Sequence, residues 1–593
     1  VANTTGAGNV GMGYAALNAN TTASNNTAIG HYALAVNTTG SENTAVGRLS
    51  LDANTTGTNN VAVGNNALSA NTTANYNTAI GDGALNANTT GTKNVAVGAY
   101  ALDANTTASS NTAVGYNAIG ANTTGTKLTA IGEGALEANT TADSNTAVGY
   151  GTANSITTGA YNTAVGAYAL DANTTANNNV AIGYAALDAN STGASNTAVG
   201  TSALGANTTA SNNVAVGDQA LEVNTTGAGN VSVGFKSLEA NTTGGYNTAI
   251  GLGSLQTNTT ASNNVSIGVN SLNLNTTGTD NTAVGAGALG ANTTASDNTA
   301  VGDNALASNT TGTYNAAVGA NALDANSTGD NNTALGYASQ TATTTASANT
   351  SVGSQTLQTN TTGASNTTVG FYSMAANTTG AQNVAVGSYA LDAATTADNN
   401  IAVGYAALSA VTTGANNVAI GTRALNVNAA SNNVAVGLSA ARYNTTGTSN
   451  VAIGYLAFED NTTGASNVAV GYIALAENTT ASYNTAVGNM SLTKNTTGTQ
   501  NVAMGHSSLD ANTTASYNTA IGTGALGENT TGANNTALGW NALNTNTTAS
   551  HNTAVGYKAL LATVGADNTA VGLRAGHLIT TGFNNVLLGE DAG

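Results

Sequence analysis

Four histidines, His31, His506, His551 and His577, are the natural candidates for proton transfer near neutral pH, and they lie scattered along the chain, away from any cluster of carboxylates. Acid–base or nucleophilic catalysis needs several unlike side chains converging on one point. The chain has no Cys, which removes thiol nucleophiles and disulfides together. Solvated histidines are therefore expected, with no catalytic residues, no cofactor and no enzyme. Carboxylates recur at one spacing: Asp52, Asp103, Glu137, Asp171, Asp188, Glu222 and Glu239. The pairs Asp171/Asp188 and Glu222/Glu239 would lie close enough to share a hard cation such as Ca²⁺. The Gly- and Asp-rich nonapeptide of calcium-binding β-helices is missing, so a solvated acidic face is the favoured reading and no metal site is assigned. Asn-Thr-Thr recurs from Asn20 and Asn37 through Asn54, Asn71 and Asn88. Each copy is formally a glycan acceptor and equally a polar turn. Aromatic side chains gather at related positions, namely Tyr14, Tyr116, Tyr150, Tyr184, Tyr405, Tyr455, Tyr472, Trp540 and Tyr557. Exposed rings there could stack on a sugar or a partner surface.

These residues recur because the whole chain repeats. Asn26, Asn43, Asn60, Asn77 and Asn94 each open an Asn-[Thr/Val]-Ala-[Val/Ile]-Gly pentapeptide, 17 residues after the last. With that Asn as position one, 35 units start between Asn9 and Asn585. Gly holds position five throughout, as Gly30, Gly47, Gly64, Gly81 and Gly98 illustrate, and Leu128 replaces the Asn once. The units starting at Asn417 and Asn552 are one residue short. Residues 1–593 thus read as a single continuous array, with 568–593 as divergent terminal repeats that could cap it. Val1 and Gly593 fall at positions ten and nine, so end-to-end stacking of chains would continue the phase.

A 17-residue period is too short for paired-helix repeats. Val95-Ala96-Val97 alternates like a strand, and Gly98 permits a turn. Further extended pieces are expected around Ala101-Leu102 and Asn105-Thr106-Thr107. The fold class is all-β: a parallel β-solenoid of about 35 coils, stacked at about 4.8 Å into a rod on the order of 170 Å long. The Asn column should form a structural ladder of amides. Each coil brings only two large aliphatics, such as Val97 and Leu102, few for 17 ordered residues. Ala28, Ala45, Ala62 and Ala79 lie on the strand face opposite the valine. An outward Ala column suits close approach of another chain, so self-association is expected.

Composition agrees with a thin, ordered object. Charged residues are 6% and aromatics 4%, with 72 Gly and no Pro. That is far from both a globular domain and a disordered, charge-rich chain. Nine Lys+Arg against 27 Asp+Glu give a net charge of −18, which offers nucleic acid no footing and keeps long particles apart. No apolar run reaches the length of a membrane span. With Val at its start and no leader, the chain reads as a mature or trimmed product.

The "NVAVG" and "NTAIG" motifs, followed by a small residue and Leu, resemble the head repeats of trimeric autotransporter adhesins. The longer "NTAVGYxALxANTTGxx" phrasing resembles the shafts of phage-tail-fibre-like and bacterial surface fibre proteins, as does the closing stretch around "ITTGFNNVLLG". The likeness implies a parallel β-roll, three intertwined chains, and a place on a cell surface or virion fibre. The family's unit has 14 residues and this one 17, so the coil need not be identical. The function expected is an extracellular structural fibre or shaft, a homotrimer able to form filaments. The second reading is an adhesin that meets a glycan or cell surface through Tyr116, Tyr150, Tyr184, Tyr405, Tyr455, Tyr472, Trp540 and Tyr557. The third is an ice-binding solenoid. It is disfavoured because Thr55-Thr56 are adjacent, so one of the two should point inward.

Overall fold

The computed structural model describes residues 3–593; Val1, on which the end-to-end phase argument rests, lies outside them. The chain forms 35 three-residue strands, one per repeat, from β1 (Val10–Met12) to β35 (Val586–Leu588), and no helix among the described residues. Contacts divide it into two units, Val1–Asp297 and Asn298–Gly593. The first carries β1 to β17 (Thr282–Val284) and the second β18 (Thr299–Val301) to β35. Within each unit consecutive strands pair parallel and in register, so Val95, Ala96 and Val97 lie beside Thr112, Ala113 and Val114. At the 16-residue units the register survives, with Val418 beside Val434 and Thr553 beside Thr569. Each unit is therefore a parallel β-solenoid, one coil per repeat.

The strand presents the faces opposite to those expected from side-chain size. The position-three alanines, Ala28, Ala45, Ala62 and Ala79, are fully buried inside their own coil, while Val95 and Ile80 are 36% and 40% exposed. A methyl added at Gly11, the position-three residue of its coil, would touch Leu17 Cδ1 at 3.7 Å. In another coil, Ser232 Oγ, at position three, lies 2.5 Å from Ser237 Oγ, at position eight. The two walls are thus close enough that position three holds Ala almost throughout, with Thr368 and Leu587 its largest exceptions, and Val97 faces out. The outward Ala column expected to meet another chain does not exist. Leu34, Leu51, Leu68 and their successors at position nine fill the interior with Ala from positions three and eight.

Each coil has one strand, not three. Positions six to eleven form a chain of turns, and positions twelve to seventeen a bend. In the turns Tyr100 and Leu102 take left-handed φ of 58° and 53°, and Ser110, at position seventeen, takes 62°. This conformation costs an L-residue roughly 1–2 kcal/mol. It holds because it aims backbone groups at both neighbouring coils: Tyr100 N–H donates back to Asp82 O, while Leu102 and Ala104 N–H donate forward to Ala118 O and Gly120 O. Gly98, with φ of 135°, turns the chain out of the strand where a Cβ would overlap Gly115 O.

Two buried columns of Asn close the coil. Asn26 Oδ1 accepts the backbone N–H of Asn43 at 2.9 Å, and Asn43 Nδ2 donates to Gly57 O at 2.8 Å. The continuous amide-to-amide ladder runs at position twelve: Asn54 Nδ2 donates to Asn37 Oδ1 at 2.9 Å and to the same Gly57 O at 3.0 Å. Where both columns carry Asn, one position-fifteen carbonyl is thereby held by two amides. The ladder has gaps at Ile156, Thr343, Ala394, Val411, Thr563 and Ile579, and where an Asn stands one coil before the gap, at Asn139, Asn326, Asn377 and Asn546, its buried Oδ1 has no hydrogen-bond partner. Thr343 Oγ1 is itself unpaired. Replacing Thr343→Asn supplies a donor to Asn326 and an acceptor to Asn360. Because a buried unpaired group costs about 1–3 kcal/mol, this variant should unfold at measurably higher denaturant in equilibrium titration.

Position fifteen carries a packing rule. It holds Gly or Ala, and no two consecutive coils from Gly6 to Gly582 hold Ala. A Cβ added at Gly57 would overlap Ala74 O and Asn54 Oδ1, so the column must relax around each Ala and cannot do so twice running. Gly57→Ala, which sets Ala beside Ala74, should destabilise by about 1–3 kcal/mol. Adding Ala74→Gly restores the spacing, and in the same titration the double variant should recover most of the loss.

Candidate ligand-binding edge

With the interior held mostly by Asn, Ala, Leu and Gly, most variation falls at the outward positions, above all six, seven, ten and seventeen. Positions six and seven flank the turn after Gly98 and its equivalents. There the structure assembles the aromatic residues into columns whose geometry follows their spacing. Rings 17 residues apart stack: Tyr455 on Tyr472 with planes 8° apart, and Trp540 on Tyr557 with planes 14° apart. Rings 16 or 18 apart join position six to position seven and meet edge to face. Examples are Tyr100–Tyr116 at 89°, Tyr150–Tyr168 at 83° and Tyr168–Tyr184 at 87°. Tyr405 meets Tyr389, which meets Phe371. Sequence reasoning named one member of most pairs and missed Tyr100, Tyr168, Tyr389 and Phe371. The signal lay in those 16- and 18-residue separations.

One stretch of this edge is concave. Tyr116 and Tyr150 occupy position six two coils apart, and the coil between them carries Glu133 at six and Gly134 at seven. The missing side chains at Gly134 and Gly151 open a notch of about 190 Å³, lined also by Asn117, Glu137, Asn154, Tyr168 and Asp171. Tyr116 and Tyr150 are about half exposed. Asn117 Nδ2 donates to Glu137 Oε1, fixing the floor. Beside it the position-ten column opens where Gly120 stands between Asp103 and Glu137. A second hollow lies around Gly205 between Asp188 and Glu222. Chemically the notch offers ring faces and carboxylate or amide oxygens, with no lysine or arginine in its lining.

Elsewhere on this edge the aromatic rings take cations from the chain itself. Lys558 Nζ lies 5.1 Å from the Trp540 centroid and 5.4 Å from that of Tyr557. Arg442 covers Tyr443 at 4.7 Å, and Lys236 lies 5.7 Å from Phe235.

The remaining candidates fall as follows. Asn26, Asn43, Asn60, Asn77 and Asn94 are buried in the position-one column, and Gly30, Gly47, Gly64, Gly81 and Gly98 all turn with φ between 133° and 143°. The sequon asparagines Asn20, Asn37, Asn54, Asn71 and Asn88 are fully buried in the other ladder, so they present no amide to a glycan-transferring enzyme. Thr55 is half-buried with its hydroxyl donating to Thr72 O, and Thr56 faces out. His31 stacks on Tyr14 at 5.3 Å. His551 Nδ1 lies 3.6 Å from Asp567 Oδ1, and His577 Nδ1 is 2.8 Å from Arg574 O and 4.0 Å from Asp591 Oδ1. Among the described residues no three His, Cys, Asp or Glu side chains gather as a metal site, and no helix is long and apolar enough to cross a membrane. No protein-family model and no curated protein matches the chain.

At position ten, burial raises the carboxyls of Asp52, Asp103, Asp188, Asp324, Asp392 and Asp510 above the usual aspartate value. Asp171 is raised by burial and then by the neighbouring charge of Asp188. A carboxyl whose folded value exceeds its unfolded value binds its proton more tightly when folded, so stability rises as pH falls toward that window. Melting temperature should therefore climb from pH 7 to about pH 5. Asp52→Asn, Asp324→Asn and Asp392→Asn together should raise it at pH 7 and flatten the climb.

Proposed function

We propose that the chain is an extracellular structural shaft whose turn edge serves as a contact surface. The observation that carries the shaft reading is that each coil closes its own core and passes its hydrogen bonds to the next. Asn43 and Asn54 meet on one carbonyl inside the coil, and Ala45 and Leu51 are fully buried beside them. Such a coil propagates without a globular body and suits spanning distance. Placement outside the cell rests on the resemblance of the NVAVG repeat to surface-fibre repeats. Adhesion is the second reading, favoured by the notch that gathers Tyr116 and Tyr150.

Self-association remains part of the proposal, on a different surface from the Ala column. The outer face of the sheet carries β-branched residues at positions two and four, among them Val95, Ile29, Ile80, Ile131 and Ile182, each 36–42% exposed. A row of partly exposed apolar side chains on a parallel sheet gains by facing its copy. Light scattering of the native particle should give about three times 57.4 kDa. Val97→Lys, Ile131→Lys and Val148→Lys together should lower that mass while leaving the β circular dichroism spectrum intact. A wild-type mass of 57.4 kDa would sink the trimer and leave a self-sufficient solenoid.

A further inference from the structure

We infer that the Tyr116–Tyr150 notch binds a small organic cation, an ammonium or guanidinium group supplied by another molecule. The inference rests on the reading of the turn edge as a contact surface and is independent of the shaft. Three observations converge on it. First, the walls have the right separation. Two coils at about 4.8 Å each set the position-six residues Tyr116 and Tyr150 roughly 10 Å apart. Both tyrosines line the same notch, so a cation seated in it is flanked by two aromatic rings, and such rings attract a cation within about 6 Å of their centroids. Tyr100, outside the lining, and Tyr168, within it, brace these walls with edge-to-face contacts at centroid distances of 6.0 and 5.5 Å.

Second, the lining has one sign. Glu133, Glu137 and Asp171 supply carboxylates, Asn117 and Asn154 supply amides, and no basic residue enters. At about 190 Å³ the notch suits a headgroup or a side-chain terminus, below the ~300 Å³ at which drug-sized sites begin. An extended saccharide would have to lie largely outside it.

Third, the chain meets this need itself elsewhere. Lys558 at position seven lies over Trp540 and Tyr557, and Lys236 at position seven lies over Phe235 while also pairing with Glu239 Oε1 at 2.9 Å. In the notch the position-seven residues are Asn117, Gly134 and Gly151, so rings and carboxylates are present and the cation is not.

Titrating the full chain with choline, followed by tyrosine fluorescence, should give saturable binding roughly tenfold tighter than with its neutral isostere 3,3-dimethylbutanol. Methylguanidinium in a parallel titration should also bind, and the tighter of the two cations identifies the source as a quaternary headgroup or an arginine side chain. Gly134→Lys places a cation where Lys236 and Lys558 already tolerate the same left-handed backbone, and it should abolish binding with the melting temperature unchanged. Glu133→Gln should weaken binding about fivefold by removing one carboxylate. Equal affinity for cation and neutral isostere, or undiminished binding by Gly134→Lys, would overturn the assignment. Binding of neutral oligosaccharides blocked by Tyr116→Ser, with no response to either cation, would also overturn it while leaving the edge a contact surface.

Discussion

The structure depends on one interaction: the hold of two buried asparagine amides on a single position-fifteen carbonyl. A 17-residue coil is mostly turn, and turns leave backbone groups that a thin interior cannot hydrate. Asn43 and Asn54 solve this at Gly57 O from opposite sides of the coil. Their own oxygens look along the stack, one to a backbone N–H and one to the next amide. The perimeter and the stacking are thus closed by the same side chains. This explains why position one tolerates Leu128 only in isolation. Its N–H still donates to Asn111 Oδ1, but its side chain offers no oxygen to the next coil. Buried amides are costly unless fully paired, so the network also penalises slipped registers, which a column of Val or Ala would not.

A second consequence is the narrow interior. With Asn at two corners and Gly or Ala at a third, the space between strand and turns takes a small residue, mostly Ala and at times Ser or Thr, at three and eight and one larger residue at nine. Phe458 and Met374 show that position nine has some latitude. Where polar residues enter, they arrive in groups, as Ser339, Gln340, Ser351 and Thr356 do, bonding across and between coils. The β-branched residues that a thicker sandwich would bury are displaced to the outer face. A feature that looks like surplus surface hydrophobicity is thus forced by the size of the coil.

The period, the strand over positions two to four, the turn at Gly98 and the structural column through Asn94 were legible because each is a local requirement repeated many times. The facing of the strand was not. Alternation says that Ala96 and Val97 point opposite ways, and residue size misassigned which way is in, because the turn wall at positions eight and nine stands too close to the strand, as Leu17 against Gly11 and Ser237 against Ser232 show. Position twelve was misleading for a related reason: Asn-Thr-Thr is a turn signal and a sequon, and nothing in the tripeptide reveals that the Asn turns inward. The left-handed backbone at Leu102 has no sequence signature, since leucine avoids that region unless neighbouring coils impose it. At the candidate site the tyrosines were visible as exposed aromatics. Their grouping was hidden in the offset between positions six and seven.

The way the notch arises bears on how such an array acquires function. A new site in a globular fold requires placing side chains that converge. Here every coil already points its variable positions along the same edge, at a spacing the stack fixes. Specificity then comes as much from omission as from addition. Glycines at positions seven and ten, Gly134, Gly151 and Gly120, remove the side chains that would fill the edge and leave Tyr116, Tyr150, Glu133 and Glu137 facing one space. Because those positions bear no load in the interior, such changes cost little stability. The same stack can therefore carry different sites along its length while its core remains nearly unaltered from coil to coil.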